Sequence, residues 1–187
     1  MIILGIDPGF SATGYSILQK NKNQITMIDH GFLKLPTTKS LQARIGIFHD
    51  FLSEKIKHHS VTHLALETPF LGKNAQTFLK LGYLRGILYL LAQQNDLTVS
   101  EFAPRQVKQT VTGYGAASKE QLAKVLSMLF PAIPRPLKED VTDAIAVSLC
   151  GLWQLENVGS QILRNRWLFV FLFDNIDIEE IYQTEKG

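Results

Sequence analysis

The sequence predicts an α/β fold: a five-stranded mixed sheet flanked by helices. Three observations carry this. The chain opens with three short β-like runs on tight links, hydrophobic spacing then alternates between helical and strand periods, and three helical stretches follow.

The β-like runs are 2–7, 13–18 and 25–33. Gly9 and Gly14 flank the first link, and Lys20-Asn21-Lys22-Asn23 makes the second turn. Links this short suit antiparallel neighbours, because a parallel pair needs a longer crossover. Leu41, Ile45, Phe48, Leu52 and Ile56 then form one helical stripe over about 40–58, with Ser40 in the N-cap region. Residues 61–67 read as a strand with Leu64 and Leu66 on one face. Residues 74–94 read as a helix that is apolar around most of its girth and is therefore expected to be well buried. Gly82 and Gly86 lie one turn apart in it, and their cost in helix propensity predicts a close approach there. A fifth strand covers 97–102, and helices follow at about 104–112, 118–130 and 139–155. The order is βββαβαβααα, three antiparallel strands followed by strands with helical crossovers.

Composition bounds the function. A chain of 187 residues with 45% hydrophobic content suits one domain with a real core and excludes wholesale disorder. Cys150 is the single cysteine, so no internal disulfide forms; it lies in an apolar run and reads as a buried structural thiol in a reducing cytoplasm. The N-terminus Met1-Ile2-Ile3-Leu4-Gly5 does not read as a signal peptide. The longest uninterrupted apolar run, 167–173, is too short to span a bilayer. The net charge of +2 hides a gradient: residues 167–187 carry −4, leaving +6 on residues 1–166. Arg105, Lys108, Lys119 and Lys124 form a basic band opposed only by Glu120, which suits either a polyanion partner or a solvated helix face.

The acids fall in a pattern. Asp7 ends the first strand before Pro8-Gly9, and Glu67 ends the fourth before Thr68-Pro69. If those strands are parallel neighbours, both acids reach one edge of the sheet, where functional groups of α/β sheets gather. Asp140 and Asp143 are three apart near a helix start, so both face one way. Simple helix capping is the rival reading for Asp140. Four carboxylates close together repel one another, and a divalent cation relieves the repulsion. An all-oxygen donor set fits Mg²⁺ or Mn²⁺ better than Zn²⁺. His30, His49, His58, His59 and His63 stand outside this pattern and read as surface or packing residues.

Four motifs together carry a resemblance. Ile3-Leu4-Gly5-Ile6-Asp7-Pro8-Gly9 with Thr13-Gly14-Tyr15, then Leu66-Glu67-Thr68-Pro69-Phe70 with Lys73-Asn74, resemble the RuvC family of Holliday-junction resolvases. The stretch from Ala103 to Gly115, continuing to Lys119-Glu120-Gln121, and the motif Asp140-Val141-Thr142-Asp143-Ala144-Ile145-Ala146 are similar to the same family. The resemblance covers residues 1 to about 155, in order. It implies a ribonuclease H-like nuclease domain over 1–155, a homodimer, and paired symmetric nicking of four-way DNA junctions in recombination and repair. The carboxylate set itself leads to the expectation of Mg²⁺, two ions per site with Mn²⁺ able to substitute, and the resemblance implies the branch-migration proteins RuvA and RuvB as partners. Asp7, Glu67, Asp140 and Asp143 correspond to the metal-binding catalytic acids, and Phe70 to an aromatic that stacks at the junction. Lys108 and Lys119 correspond to basic residues serving DNA, with Lys73 and Arg105 as further backbone contacts. Gly113 and Gly115 are expected to form a tight turn near phosphate.

The resemblance stops at the tail. Residues 156–187, with the apolar run after Arg164-Asn165-Arg166, form an atypical C-terminal extension to which the sequence assigns no function. Two other readings compete. Gly5-Ile6-Asp7-Pro8-Gly9 also resembles the first phosphate loop of actin-like ATPases, which need a second lobe that this length does not supply. A junction-binding module without catalysis would not need the full acid set.

Overall fold

A computed structural model describes residues 1–22, 24–68, 75–134 and 136–156. The strands are β1 (Ile2–Asp7), β2 (Ala12–Asn21), β3 (Gln24–Lys34), β4 (His63–Glu67) and β5 (Thr98–Phe102). The helices are α1 (Leu41–His58), α2 (Ala75–Gln94), α3 (Pro104–Thr112), α4 (Lys119–Leu129) and α5 (Glu139–Glu156). This is the order read from the sequence, with boundaries moved by a few residues at most. Ser40 caps α1 as expected, its hydroxyl accepting from the Ala43 N–H at 3.3 Å.

The sheet order is β3-β2-β1-β4-β5. β1 pairs antiparallel with β2 and parallel with β4, and β4 pairs parallel with β5. Helices cover both faces. Leu4, Ile6, Ile17, Leu64 and Leu66 pack with Phe48 and Leu52 of α1 and with Leu84 and Leu88 of α2. Ile3, Leu18 and Ala65 pack with Val107 of α3, Leu122 and Leu126 of α4, and Ile145 and Leu149 of α5. The alternation of strand side chains thus divides one sheet between two cores.

Two glycines set the height of α5. A Cβ on Gly5 would lie 2.4 Å from the Ala144 carbonyl oxygen, and one on Gly14 only 1.9 Å from that of Asp140. The α5 backbone therefore rests directly on β1 and β2. Ser16 satisfies polar atoms inside this contact: its hydroxyl donates to the Ala144 carbonyl at 3.0 Å and lies 2.7 Å from the Ser148 hydroxyl.

The expectation for α2 needs correction. The helix is not buried around its girth. Leu84, Arg85, Leu88, Leu91 and Ala92 are buried, while Leu79, Tyr83, Tyr89 and Leu90 are exposed. Nothing within the described chain lies within 4 Å of a Cβ placed on Gly82 or Gly86, so the close approach expected there is not made by the described residues of the chain itself. The sequence shows apolar residues all round the helix, but the sheet is large enough to cover only one side.

Cys150 is buried, and burial pushes its thiol up to about 11, as fits an inert structural role. Among the described residues, no helix is long and apolar enough to cross a membrane. The extension from 157 onward lies outside the described residues, so the expected boundary at 155/156 falls in the last turn of α5 with the rest of the extension beyond description.

Candidate active site

Alternation along the strands places the first two acids. Ile3 belongs to the α5 side of the sheet and Gly5 faces α5, so Asp7 shares that face. Ala65 also belongs to the α5 side, so Glu67 shares it. Because β1 and β4 run parallel, with Ile6 opposite Leu66, both acids emerge at the same edge. The third and fourth acids come from the helix above. Asp7 pairs with Gly14 across β1 and β2, and Gly14 is where the Asp140 backbone touches the sheet. Asp143 follows one turn on, along the same face.

The electrostatics report the convergence. The Asp7 carboxyl is raised from 3.8 to about 7, first by burial, then by the charges of Asp143, Glu67 and Asp140; Lys119 opposes the shift. Glu67 is raised by burial and by Asp143, against Lys108 and Lys119. Asp143 is raised by burial and by Asp140, and is held down by Lys119 and Lys108. Among the described residues, no three of these side chains close into a ready ligand cluster. Every donor is a carboxylate oxygen and the local field is negative, which suits a hard divalent cation.

Asp140 is the second residue of α5, inside the helix rather than at its cap position. Its place in the first turn lets the helix dipole offset some of its charge.

Two of the expected basic residues border the acids. Lys119 opens α4, whose start is fixed by a capping box between Ser118 and Gln121. Its ammonium lies 3.6 Å from Asp143 Oδ2 and is in ion-pair contact with Glu139. Lys108 acts on Glu67 and Asp143 through its charge. Arg105 is exposed in the first turn of α3, and its side chain crowds Gly115. Gly113 closes α3 in the left-handed conformation, φ 77°, which is the tight turn expected there. Phe70 and Lys73 lie outside the described residues.

The loop after Asp7 is tied on both sides. The Thr13 hydroxyl donates to the Gly9 carbonyl at 3.0 Å and accepts from the Gly9 N–H at 3.3 Å. Arg44 of α1 donates to the Phe10 carbonyl and lies over the Phe10 ring, 4.1 Å from its centroid. Sequence reasoning missed Arg44, Glu139 and Arg85. Glu139 was legible only as one of two adjacent acids at a helix start, and Arg85 as a single cation inside an apolar helix.

The family profile described as crossover junction endodeoxyribonuclease RuvC matches residues 3–151. A crossover junction endodeoxyribonuclease RuvC from Chlorobium phaeobacteroides is 40% identical over 161 residues, 86% of each chain. That of Chlorobium phaeovibrioides is 43% identical over 155 residues, 81% of each chain. Among solved structures, Thermus thermophilus RuvC in complex with a Holliday junction substrate is similar with a TM-score of 0.77 over 83% of this chain and 94% of that one; at 24% identity this is a likeness of fold. With the profile spanning most of its length and these relatives alongside, the chain belongs to the RuvC family of crossover junction endodeoxyribonucleases.

Proposed function

We propose that this chain resolves four-way DNA junctions by paired symmetric nicks, hydrolysing phosphodiesters with divalent-metal assistance in a cytoplasmic recombination and repair role. The observation that carries this reading is the raised carboxyl of Asp7, held near 7 by burial and by three other acids, Glu67 at the same sheet edge and Asp140 and Asp143 on α5 above it. Asp7, Glu67, Asp140 and Asp143 would hold Mg²⁺, two ions per site with Mn²⁺ able to substitute. Bound there, such ions supply Lewis-acid stabilisation of the phosphodiester and make water acidic enough to attack at neutral pH.

The chain's own residues supply the rest. Asp7 must give up its proton before it can act as a ligand, so cation binding at this site releases protons as pH falls toward 7. Lys119, beside Asp143, and Lys108 offset the charge that grows on a phosphate during cleavage. Arg105 contacts the DNA backbone further out. Phe70 and Lys73, on the segment after β4, serve the unstacked bases and the backbone at the crossover. The nuclease domain covers 1–155, with 156–187 as an extension, and RuvA and RuvB are the partners.

The test is a synthetic mobile four-way junction. Mg²⁺ should produce symmetric, ligatable nicks in opposing strands. EDTA should abolish them, and a linear duplex of the same sequence should stay intact. Tight junction binding with no nicking in Mg²⁺ or Mn²⁺ would instead identify a binding module.

A symmetric junction offers two equivalent scissile bonds, which a two-fold protein meets with two identical sites. We place part of that two-fold contact on α2, where Leu79, Gly82, Tyr83, Gly86 and Leu90 fall on one exposed face. A Cβ at Gly86 meets nothing in its own chain, so Gly86→Leu should spare the fold and weaken the dimer. Sedimentation should show a shift toward the monomer mass; an unchanged mass would remove α2 from the interface.

A further inference from the structure

We propose that Arg85 is a positioning residue for Glu67, holding the end of β4 from the side of the sheet opposite the acids. This inference rests on the reading of Glu67 as a metal-holding acid. Arg85 is a buried cation, 7% exposed, in a helix whose other buried residues are Leu84, Leu88, Leu91 and Ala92. Its Nη1 donates to the Glu67 carbonyl oxygen at 2.7 Å. Its Nη2 lies 2.8 Å from Glu101 Oε2 and donates to the Tyr89 hydroxyl at 2.9 Å. The Tyr89 hydroxyl in turn donates to the other Glu101 oxygen, so the four groups form one network.

The strand needs that support. Pairing between β1 and β4 stops at Ile6 and Leu66, one residue before Glu67. On the β5 side, the ladder continues through Thr68, whose N–H donates to the Phe102 carbonyl at 2.8 Å. Glu67 therefore stands at the last rung, with its side chain on the α5 face and its carbonyl in the grip of a guanidinium from α2. The planar fork of arginine fixes both ends at once: one nitrogen holds the backbone of Glu67 and the other is anchored to Glu101 on the neighbouring strand.

A role in stability alone fits poorly. A buried ion pair adds little to folding compared with well-packed apolar residues of the same size. The geometry instead resembles the outer partners that orient metal-holding side chains, whose loss weakens metal affinity or activity by about 10–100-fold.

The test separates positioning from folding with the full-length chain. The double variant Arg85→Met/Glu101→Leu removes both charges, so no unpaired ion is left buried. Its melting temperature should stay within a few degrees of wild type, and its junction affinity in EDTA should be unchanged. Its Mn²⁺ affinity, measured by titration calorimetry, should fall by about tenfold or more. Nicking at saturating junction should fall by about 10–100-fold, lowering kcat rather than raising KM. Arg85→Lys returns the charge without the fork and should show the same loss of Mn²⁺ affinity. Wild-type Mn²⁺ affinity in either folded variant would overturn the proposal. If wild-type protein binds Mn²⁺ but does not nick junctions, the functional reading fails, and the calorimetric comparison still decides the role of Arg85.

Discussion

Asp7→Asn should lower junction nicking by about 10³-fold or more and, at the same time, make the metal-free protein more stable at neutral pH. On the proposed role of Asp7 as a metal-holding acid, the loss follows from the charge-stabilising interaction of several kcal/mol that such an acid supports, at about 1.4 kcal/mol per tenfold in rate. Junction binding in EDTA should persist, because the basic residues remain.

The gain in stability follows from the raised carboxyl of Asp7. Below about pH 4, its side chain is neutral in both folded and unfolded chains and contributes nothing. Between about 4 and 7 the unfolded chain has released a proton that the folded chain still holds, so stability falls as pH rises. Above about 7 the penalty is complete. Three pH units at about 1.4 kcal/mol each set an upper limit of about 4 kcal/mol. Water at this partly open site and the nearby Lys119 bring the expected gain to roughly 2 kcal/mol. For a chain of this size that is about 4–8 °C in Tm. The advantage of Asn should shrink as pH is lowered from 7 toward 4. Added Mg²⁺ should stabilise wild type by about 2.7 kcal/mol at a hundred times its Kd, read as a rise in Tm, and leave the variant nearly unmoved. A variant with wild-type Tm across this range would show that Asp7 does not sit in the field of the other acids.

Gly14→Val should produce the largest structural effect. Its Cβ would meet the Asp140 carbonyl oxygen at 1.9 Å and the carbonyl carbon at 2.3 Å, both backbone atoms that no rotamer change can clear. Overpacking of this kind costs about 3 kcal/mol, readable as a fall in Tm of roughly 6–12 °C. The displacement falls on the helix that carries Asp140 and Asp143 and opposite Asp7 in the ladder. A shift of about 1 Å in such groups costs about 10²-fold in rate, so any folded fraction should nick slowly. Gly46→Ala is the matched control. A Cβ there meets nothing within 4 Å inside α1, and the change should stabilise by about 0.5–1 kcal/mol without altering nicking. If Gly14→Val nicks like wild type, α5 is not held at its height by this contact.

Much of the site was legible because its chemistry is written in local patterns. Acids at the ends of two predicted strands, each within two residues of a proline, and an Asp-x-x-Asp at a helix start state their own geometry once the helical and strand periods are known. Lys108 and Lys119 were legible as a basic band and by resemblance. Their distinct positions, Lys119 beside Asp143 and Glu139 and Lys108 acting through its charge, come from the packing of α3 and α4 on α5. Phe70 and Lys73 rest on the sequence alone.

By itself, the sequence determined the element order and the antiparallel opening of the sheet, because each follows from spacing along the chain, and it singled out the four acids as candidates through their spacing together with the motifs of the resemblance. Only the tertiary structure decided three things. The first is which side of α2 is buried, since apolar residues surround that helix and the sheet covers one side of it. The second is the purpose of Gly5 and Gly14, which lies in the approach of a helix more than a hundred residues away rather than in turn formation. The third is Arg85, whose partners Glu67 and Glu101 lie on two strands at sequence distances that no local pattern connects. Spacing can place a side chain on a face; what meets that face depends on how distant segments pack.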